Sequence, residues 1–287
     1  MVMSQKPQVK PESIIWIFGS GRTGSSWLSR IMGSLPDHSR WNEPTVGLLF
    51  GHLYYGPGKH RHEKEHFILA DQHRDVWISA ARSLVLDSAS ARFPERVKGG
   101  YLIAKEPHGS IGAPLMMEAL PESRMIFLIR DPRDAVASAF DANQTGSWAA
   151  RNLNRGNRRA NRKPDVWIAK RAENYLKDIS NTKQAYEAHT GRKVLVRYEE
   201  LRADTLESMK RIYSTLEMPV DEKRLAQAVE KHSWENIPEE EKGSGKIFRK
   251  ATPGGWREDL TPEQIKAVER ITAPLLEEFY PKSTLLS

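Results

Sequence analysis

IIWIFGSGRTGSSW, residues 14–27, sets a continuous apolar run directly before a glycine-rich turn. The run Ile14–Phe18 reads as a buried strand and Ser25–Leu35 as a helix, so the stretch predicts a strand, a tight turn and a helix N-terminus. Gly19 and Gly24 stand at the spacing of a nucleotide-binding P-loop, GxxxxGK(S/T), whose backbone N–H groups cradle phosphate oxygens. Ser26 fills the final hydroxyl position, but Ser25 stands where the lysine that grips a triphosphate belongs. A cation appears inside the turn instead, as Arg22. The loop therefore predicts a cradle for a phosphate-like group, without the triphosphate clamp.

Outward from this unit, three more short apolar runs end in charged residues. Tyr101–Ala104 precedes Lys105-Glu106-Pro107-His108, Met125–Ile129 precedes Arg130-Asp131-Pro132, and Lys193–Val196 precedes Arg197-Tyr198-Glu199-Glu200. Pro132 suits the first turn of a helix running to about Phe140, because its missing N–H costs nothing there. Pro164–His189 carries Ile168, Ala172, Tyr175, Leu176 and Ile179 on one stripe, the pattern of a long helix with a core face. Apolar runs alternating with helical stretches predict an α/β fold of three layers, αβα, around a central mostly parallel sheet of the P-loop-NTPase type. The charged residues then gather at the carboxyl ends of the strands, where open α/β sheets hold ligands.

A length of 287 residues fits one domain. Residues 1–12 read as a flexible, polar start. Residues 50–98 are rich in His, Arg and Gly, with helical spacing around Val76–Leu86, and read as an insertion that caps the site. A final helix starts near Thr261.

The composition, 39% hydrophobic and 28% charged, is that of a globular protein rather than a disordered or membrane-spanning one. No apolar run approaches the roughly 18 residues that span a bilayer, and the start holds no apolar export signal. The absence of cysteine excludes disulfides, thiolate metal sites and a thiol nucleophile, and fits a cytoplasmic location. A net charge of +7 favours an anionic ligand. Six cations and no carboxylate lie between Arg151 and Lys163, a run that reads either as a solvated loop or as a grip on an anion. It lacks aromatics that would stack on bases, so nucleic acid is not an expected partner. His52, His60, His62 and His66 fall into no ligand pattern with carboxylates, so no metal site is expected. No motif speaks to oligomeric state.

Three cationic sites, Arg22, Arg130 and Arg249-Lys250, point to a ligand with negative charge at two separated places. Arg130 at a strand end and Ser138 two turns into the next helix suit one phosphate. With these residues assembled, the sequence resembles the sulfotransferases that use 3′-phosphoadenylyl sulfate (PAPS). In that family a (K/R)xGxxW loop after the first strand holds the 5′-phosphosulfate, and here it reads Arg22, Thr23, Gly24, Ser25, Ser26, Trp27. A second pattern, R(N/D)PxDxxxS, binds the 3′-phosphate and is matched by Arg130, Asp131, Pro132, Asp134 and Ser138. The family's late loop, RKGxxGDWK, is matched in part by Arg249, Lys250, Gly254, Trp256 and Arg257, with Ala251 and Gly255 replacing its first glycine and its aspartate. Tyr198, inside RYEEL at 197–201, resembles the family's stretch after the fourth strand and joins the donor set.

The resemblance implies in-line attack of an acceptor hydroxyl or amine on the sulfur of PAPS, giving a sulfate ester and adenosine 3′,5′-bisphosphate; because a sulfuryl group carries less charge than a phosphoryl group, no metal is expected. It implies Arg22, and then Lys105, as stabilisers of the leaving phosphate. Two residues compete for the base. Glu43, in Trp41-Asn42-Glu43-Pro44, resembles the glutamate of an EP pair in carbohydrate-directed branches and is preferred. His108 resembles the histidine of the cytosolic branch, though its KxxH spacing is one residue longer than KxH; its ordinary pKa suits a base without tuning. Trp27 serves either as a face for adenine or as a helix residue packed on the sheet. The acceptor, a small molecule, a carbohydrate or a lipid-linked group, is not legible. Two rival readings stand beside this one. The first is a nucleotide kinase or NTPase with Asp131 as metal ligand, against which Ser25 speaks; the second is a noncatalytic binder of anionic polymers using residues 151–163.

Overall fold

Five strands form one parallel sheet: β1 (Ile14–Phe18), β2 (His38–Asn42), β3 (Tyr101–Lys105), β4 (Arg124–Ile129) and β5 (Lys193–Arg197), in the order β2-β3-β1-β4-β5. The structure, a computed structural model, describes residues 7–56, 61–144, 147, 163–246, 248–250 and 252–281. The helices among them are α1 (Ser25–Gly33), α2 (Val46–Tyr55), α3 (Arg74–Arg92), α4 (Ala113–Ala119), α5 (Pro132–Ala142), α6 (Pro164–Ala188), α7 (Tyr198–Ala203), α8 (Thr205–Thr215), α9 (Glu222–Lys231), α10 (Trp256–Asp259), α11 (Pro262–Ile271) and α12 (Ala273–Phe279). None of them is long and apolar enough to cross a membrane.

The continuous apolar character of β1 follows from its place at the centre of the sheet. Ile14, Trp16 and Phe18 enter a core covered by α2, α3, α4, α6 and α12. Ile15 and Ile17 enter a second core covered by α1, α8 and α9. Helices on both faces thus make the three αβα layers. A third, smaller cluster joins Val136 and Ala137 of α5 to Ile168 and Ala172 of α6 and to Trp256 and Leu260.

Four of the five strands are the apolar runs read from the sequence. The fifth, β2, has the sequence HSRWN, in which only Trp41 is buried. It is an edge strand paired only with β3, so backbone hydrogen bonding rather than an apolar pattern defines it. The register brings Asn42 beside Lys105 and Ile129 beside Arg197, so the polar ends of the strands meet at one edge.

The segment 50–98 divides. The end of α2 carries His52 towards that edge, whereas α3 is the crossover between β2 and β3 and packs Trp77, Val85, Leu86 and Ala89 into the first core. Of the start read as flexible, residues 7–12 are held in place. Val9 is buried, and its N–H donates to Ser90 Oγ at 2.8 Å, because an apolar side chain among polar neighbours found a slot beside α3. The basic run at 151–162 lies outside the described residues, as does His60.

Candidate functional site

The loop between β1 and α1 is shaped by its glycines. A Cβ on Gly19 would run into the carbonyl oxygen of Leu128, so β4 can approach only a glycine. Gly24 has φ 92°, and a Cβ there would stand 2.6 Å from the Tyr198 ring. Arg22 also has positive φ, at 77°, a conformation that turns the chain within the loop at some cost in strain. Thr23 is buried behind the loop, where its hydroxyl donates to the Ser20 carbonyl at 2.8 Å. The helix α1 starts after Gly24 without a side-chain cap, which leaves its leading N–H groups to a ligand.

One cleft opens on this loop and is lined by Arg22, Gly24, Ser25, Ser26, Trp27, Arg130, Ser138, Tyr198, Arg249 and Lys250. Every residue assigned to the donor from sequence reaches it, apart from Thr23. The cationic side chains of Arg22, Arg130, Arg249 and Lys250 thus converge from two loops and a strand end. Arg22 Nε donates to Ser138 Oγ at 3.0 Å, and Arg130 Nη1 donates to the Arg22 carbonyl at 3.2 Å. Burial, followed by the charges of Arg130 and Arg249, lowers the Arg22 pKa to about 10 despite the opposing pull of Asp141. Cations crowded this way favour a bound anion. The Arg130 guanidinium lies 4.3 Å from the centre of the Tyr198 ring, and its Nε is buried without a hydrogen-bond partner among the described residues.

Trp27 lines the cleft while its Nε1 donates to the His232 carbonyl at 2.8 Å. Its ring is packed edge-on against Tyr198 and also borders the cleft. The late loop is anchored by Asp134, whose carboxylate accepts from the N–H groups of Gly254 at 2.7 Å and Trp256 at 3.0 Å. Arg249 pairs with Asp259, and Lys250 reaches Glu258 and Asp259 at 3.0 Å each. Asp131 caps α5, accepting from Arg133 N–H at 2.8 Å and pairing with the Arg133 guanidinium at 2.7 Å. Sequence reasoning missed Arg202 and, at the apolar end of the cleft, Trp234, Ile237 and Phe248. They come from loop and helix segments with no periodic signal.

A second cleft shares Arg22, Ser25 and Ser26 with the first and continues past Glu43, Lys105 and His108 to His52, Ile111 and the side of α6. Lys105 is buried; its Nζ lies 2.5 Å from Glu43 Oε1 and 3.5 Å from Ser26 Oγ. Burial lowers the Lys105 pKa, an effect that Glu43 only partly offsets. Burial alone would raise the Glu43 carboxyl, but the bond to Lys105, the Lys105 charge and His108 together carry it below the usual value. The His108 imidazole borders the cleft, and desolvation against the cleft walls outweighs Glu43 and Asp178 to lower its pKa. The loop is braced from this side by two residues that the sequence did not single out. Arg171 donates to Ser20 Oγ at 3.0 Å and to the Gly21 carbonyl at 2.9 Å, and Ser20 Oγ donates to Asp178 at 2.6 Å. Among the described residues no group of three or more His, Asp or Glu side chains is arranged to hold a metal ion.

A family profile described as the sulfotransferase family matches residues 14–222. No curated protein matches the chain by sequence. Among solved structures, a mouse sulfotransferase complexed with PAP is similar over 95% of this chain and 86% of its own, with a TM-score of 0.56 and 13% identity. A sulfotransferase from Mycobacterium avium gives a TM-score of 0.54 and 16% identity over 94% of this chain and 78% of its own. The sulfotransferase domain of the Synechococcus olefin synthase gives 0.54 and 17% over 93% and 97%. At these identities the likeness concerns the fold.

Proposed function

The chain belongs to the sulfotransferase family, and from that premise we propose that it transfers the sulfuryl group of PAPS to a hydroxyl or amine of an acceptor, inside a cytoplasm suited to a cysteine-free chain. One observation carries the reading: two clefts meet at Arg22, Ser25 and Ser26, with Lys105, Glu43 and His108 on the far side of the junction. The donor takes the first cleft, its bisphosphate charges facing Arg22, Arg130, Arg249 and Lys250 and its adenine facing Trp27 and the apolar end at Trp234, Ile237 and Phe248.

The acceptor oxygen or nitrogen attacks sulfur in line from the second cleft. The bond between sulfur and the bridging oxygen breaks, and that oxygen leaves on adenosine 3′,5′-bisphosphate with its negative charge. Arg22 and Lys105 stabilise this charge, and a buried cation acts more strongly than a hydrated one. The acceptor proton passes to His108. Glu43 is tied to Lys105, and its conjugate acid is held below the ordinary carboxyl value, which leaves its carboxylate engaged and weakly basic. Its place in this mechanism is to hold Lys105 at the junction until the donor competes for that cation.

Thermal unfolding with three ligands tests the reading. Adenosine 3′,5′-bisphosphate at about a hundred times its Kd should stabilise the protein by about 2.7 kcal/mol, far more than equal concentrations of AMP or Mg-ATP. Labelled sulfate should then leave PAPS for an acceptor. A preference for Mg-ATP returns the chain to the kinase reading, and equal, salt-sensitive effects of all three return it to the anion binder.

A further inference from the structure

The wall that α6 gives to the second cleft is polar beyond Trp167 and includes the cations Arg171 and Lys177. Its core side carries Ile168, Ala172, Tyr175 and Ile179. Its other side carries Trp167, Arg171, Asn174, Asp178 and Asn181, spaced alternately four and three residues apart, so that they form one stripe, and all five line the cleft. Arg171 and Asp178 are occupied in bracing the loop at Ser20 and Gly21. Asn174 and Asn181 are not so used, and Asn143, at the end of α5, lines the same cleft. Among the described residues none of these three carboxamides makes a side-chain hydrogen bond, and Asn181 Nδ2 is buried without a partner.

A buried amide nitrogen left unpaired destabilises a fold, so Asn181 Nδ2, lying on a ligand cleft beside the half-buried Asn143 and the exposed Asn174, needs a reason. Each carboxamide presents two donors and one acceptor in a plane. Neighbouring hydroxyls of a sugar ring both donate and accept at that spacing, while an apolar phenol or sterol would leave the buried Asn181 Nδ2 without a partner. Being uncharged, the amides give no advantage to an anionic acceptor over a neutral one. Trp167 at the end of the stripe adds an aromatic surface of the kind that takes the C–H face of a ring.

We propose that the acceptor is a saccharide, bound through Asn143, Asn174 and Asn181 with Trp167 beside the ring. This rests on the sulfotransfer reading and narrows it. A site built to bond hydroxyls rejects analogues that lack them by large factors.

The test uses the full chain loaded with adenosine 3′,5′-bisphosphate and saturation-transfer difference NMR with tetrasaccharides of glucose, galactose and N-acetylglucosamine against 2-naphthol. Signals from the ring protons of at least one tetrasaccharide, and none from 2-naphthol, are expected. With PAPS, that saccharide should be sulfated, and Asn174→Leu/Asn181→Leu should lower its kcat/KM at least tenfold while stabilisation by the bisphosphate is unchanged. If the double variant does not fold, Asn174→Leu alone changes an exposed helix position, and a threefold or greater loss is expected from it. Stronger signals from 2-naphthol, no signal from any tetrasaccharide, or variants with full saccharide activity overturn the proposal. In those cases the donor reading stands as long as the bisphosphate still stabilises the wild-type protein; if it does not, the sulfotransfer reading itself is lost.

Discussion

His108 and Glu43 flank the same junction and are both depressed from their ordinary values, one by burial and the other chiefly by Lys105. A base works only when deprotonated, so activity falls as pH drops through its pKa. With His108 as base, the acid limb of kcat/KM lies below the ordinary histidine value of 6.5; with Glu43 as base it lies below the ordinary carboxyl value of 4.5. We expect the limb to belong to His108, below 6.5, and to be removed by His108→Gln together with a roughly hundredfold or greater loss in rate. Glu43→Gln should keep the limb; a limb that stays with His108→Gln and vanishes with Glu43→Gln reverses the assignment. Gly19 and Gly24 were legible in sequence through their P-loop spacing, and the structure adds a reason: only glycine tolerates the carbonyl of Leu128 or the ring of Tyr198 at that distance. Arg202, Trp234 and Phe248 were not, because they become neighbours only after α7, α9 and the loops around them have packed.

Elements were legible where burial on both faces imposes an unbroken apolar run, as in β1 and β4, and illegible where the edge of the sheet relaxes it, as in β2. The second motif aspartate, Asp134, shows how an element can serve a distant loop, since α5 holds the backbone at Gly254 and Trp256 through one carboxylate. Glu106, at the end of β3, does the same for α2. Its Oε1 accepts from the N–H groups of Gly47 at 2.7 Å and Leu48 at 3.2 Å, and burial, only partly offset by these bonds, raises its pKa to about 7. The folded chain therefore holds a proton that the unfolded chain releases near 4.5. This contribution to stability is full below that value, declines as pH rises towards 7 and is absent above it. Glu106→Gln keeps the acceptor and removes the titration. It should raise unfolding stability by on the order of 2 kcal/mol at pH 8 and by almost nothing at pH 4.5, measured by urea denaturation. Equal effects at both pH values would mean that Glu106 does not titrate in this range.

Across the molecule, the net charge of +7 is not spread evenly, because the topology delivers Arg22, Lys105, Arg130, Arg249 and Lys250 to the two clefts at one edge of the sheet. A P-loop enzyme that handles a triphosphate sets a lysine and a magnesium ion against its charge. Here Ser25 occupies the lysine position, and the compensating charges are fixed on the protein, with Arg22 and Lys105 at the junction where the leaving oxygen would carry its charge. Cations already held in a poorly solvated cleft need no reorganisation as the bond to sulfur breaks, so a divalent ion has little left to stabilise. Turnover in metal-stripped buffer with a chelator should accordingly stay within about twofold of turnover with added magnesium. Raising monovalent salt should weaken donor binding instead, since it screens the exposed part of the cluster. Loss of all turnover with the chelator, restored by magnesium, would show that the five cations do not carry the compensation assigned to them.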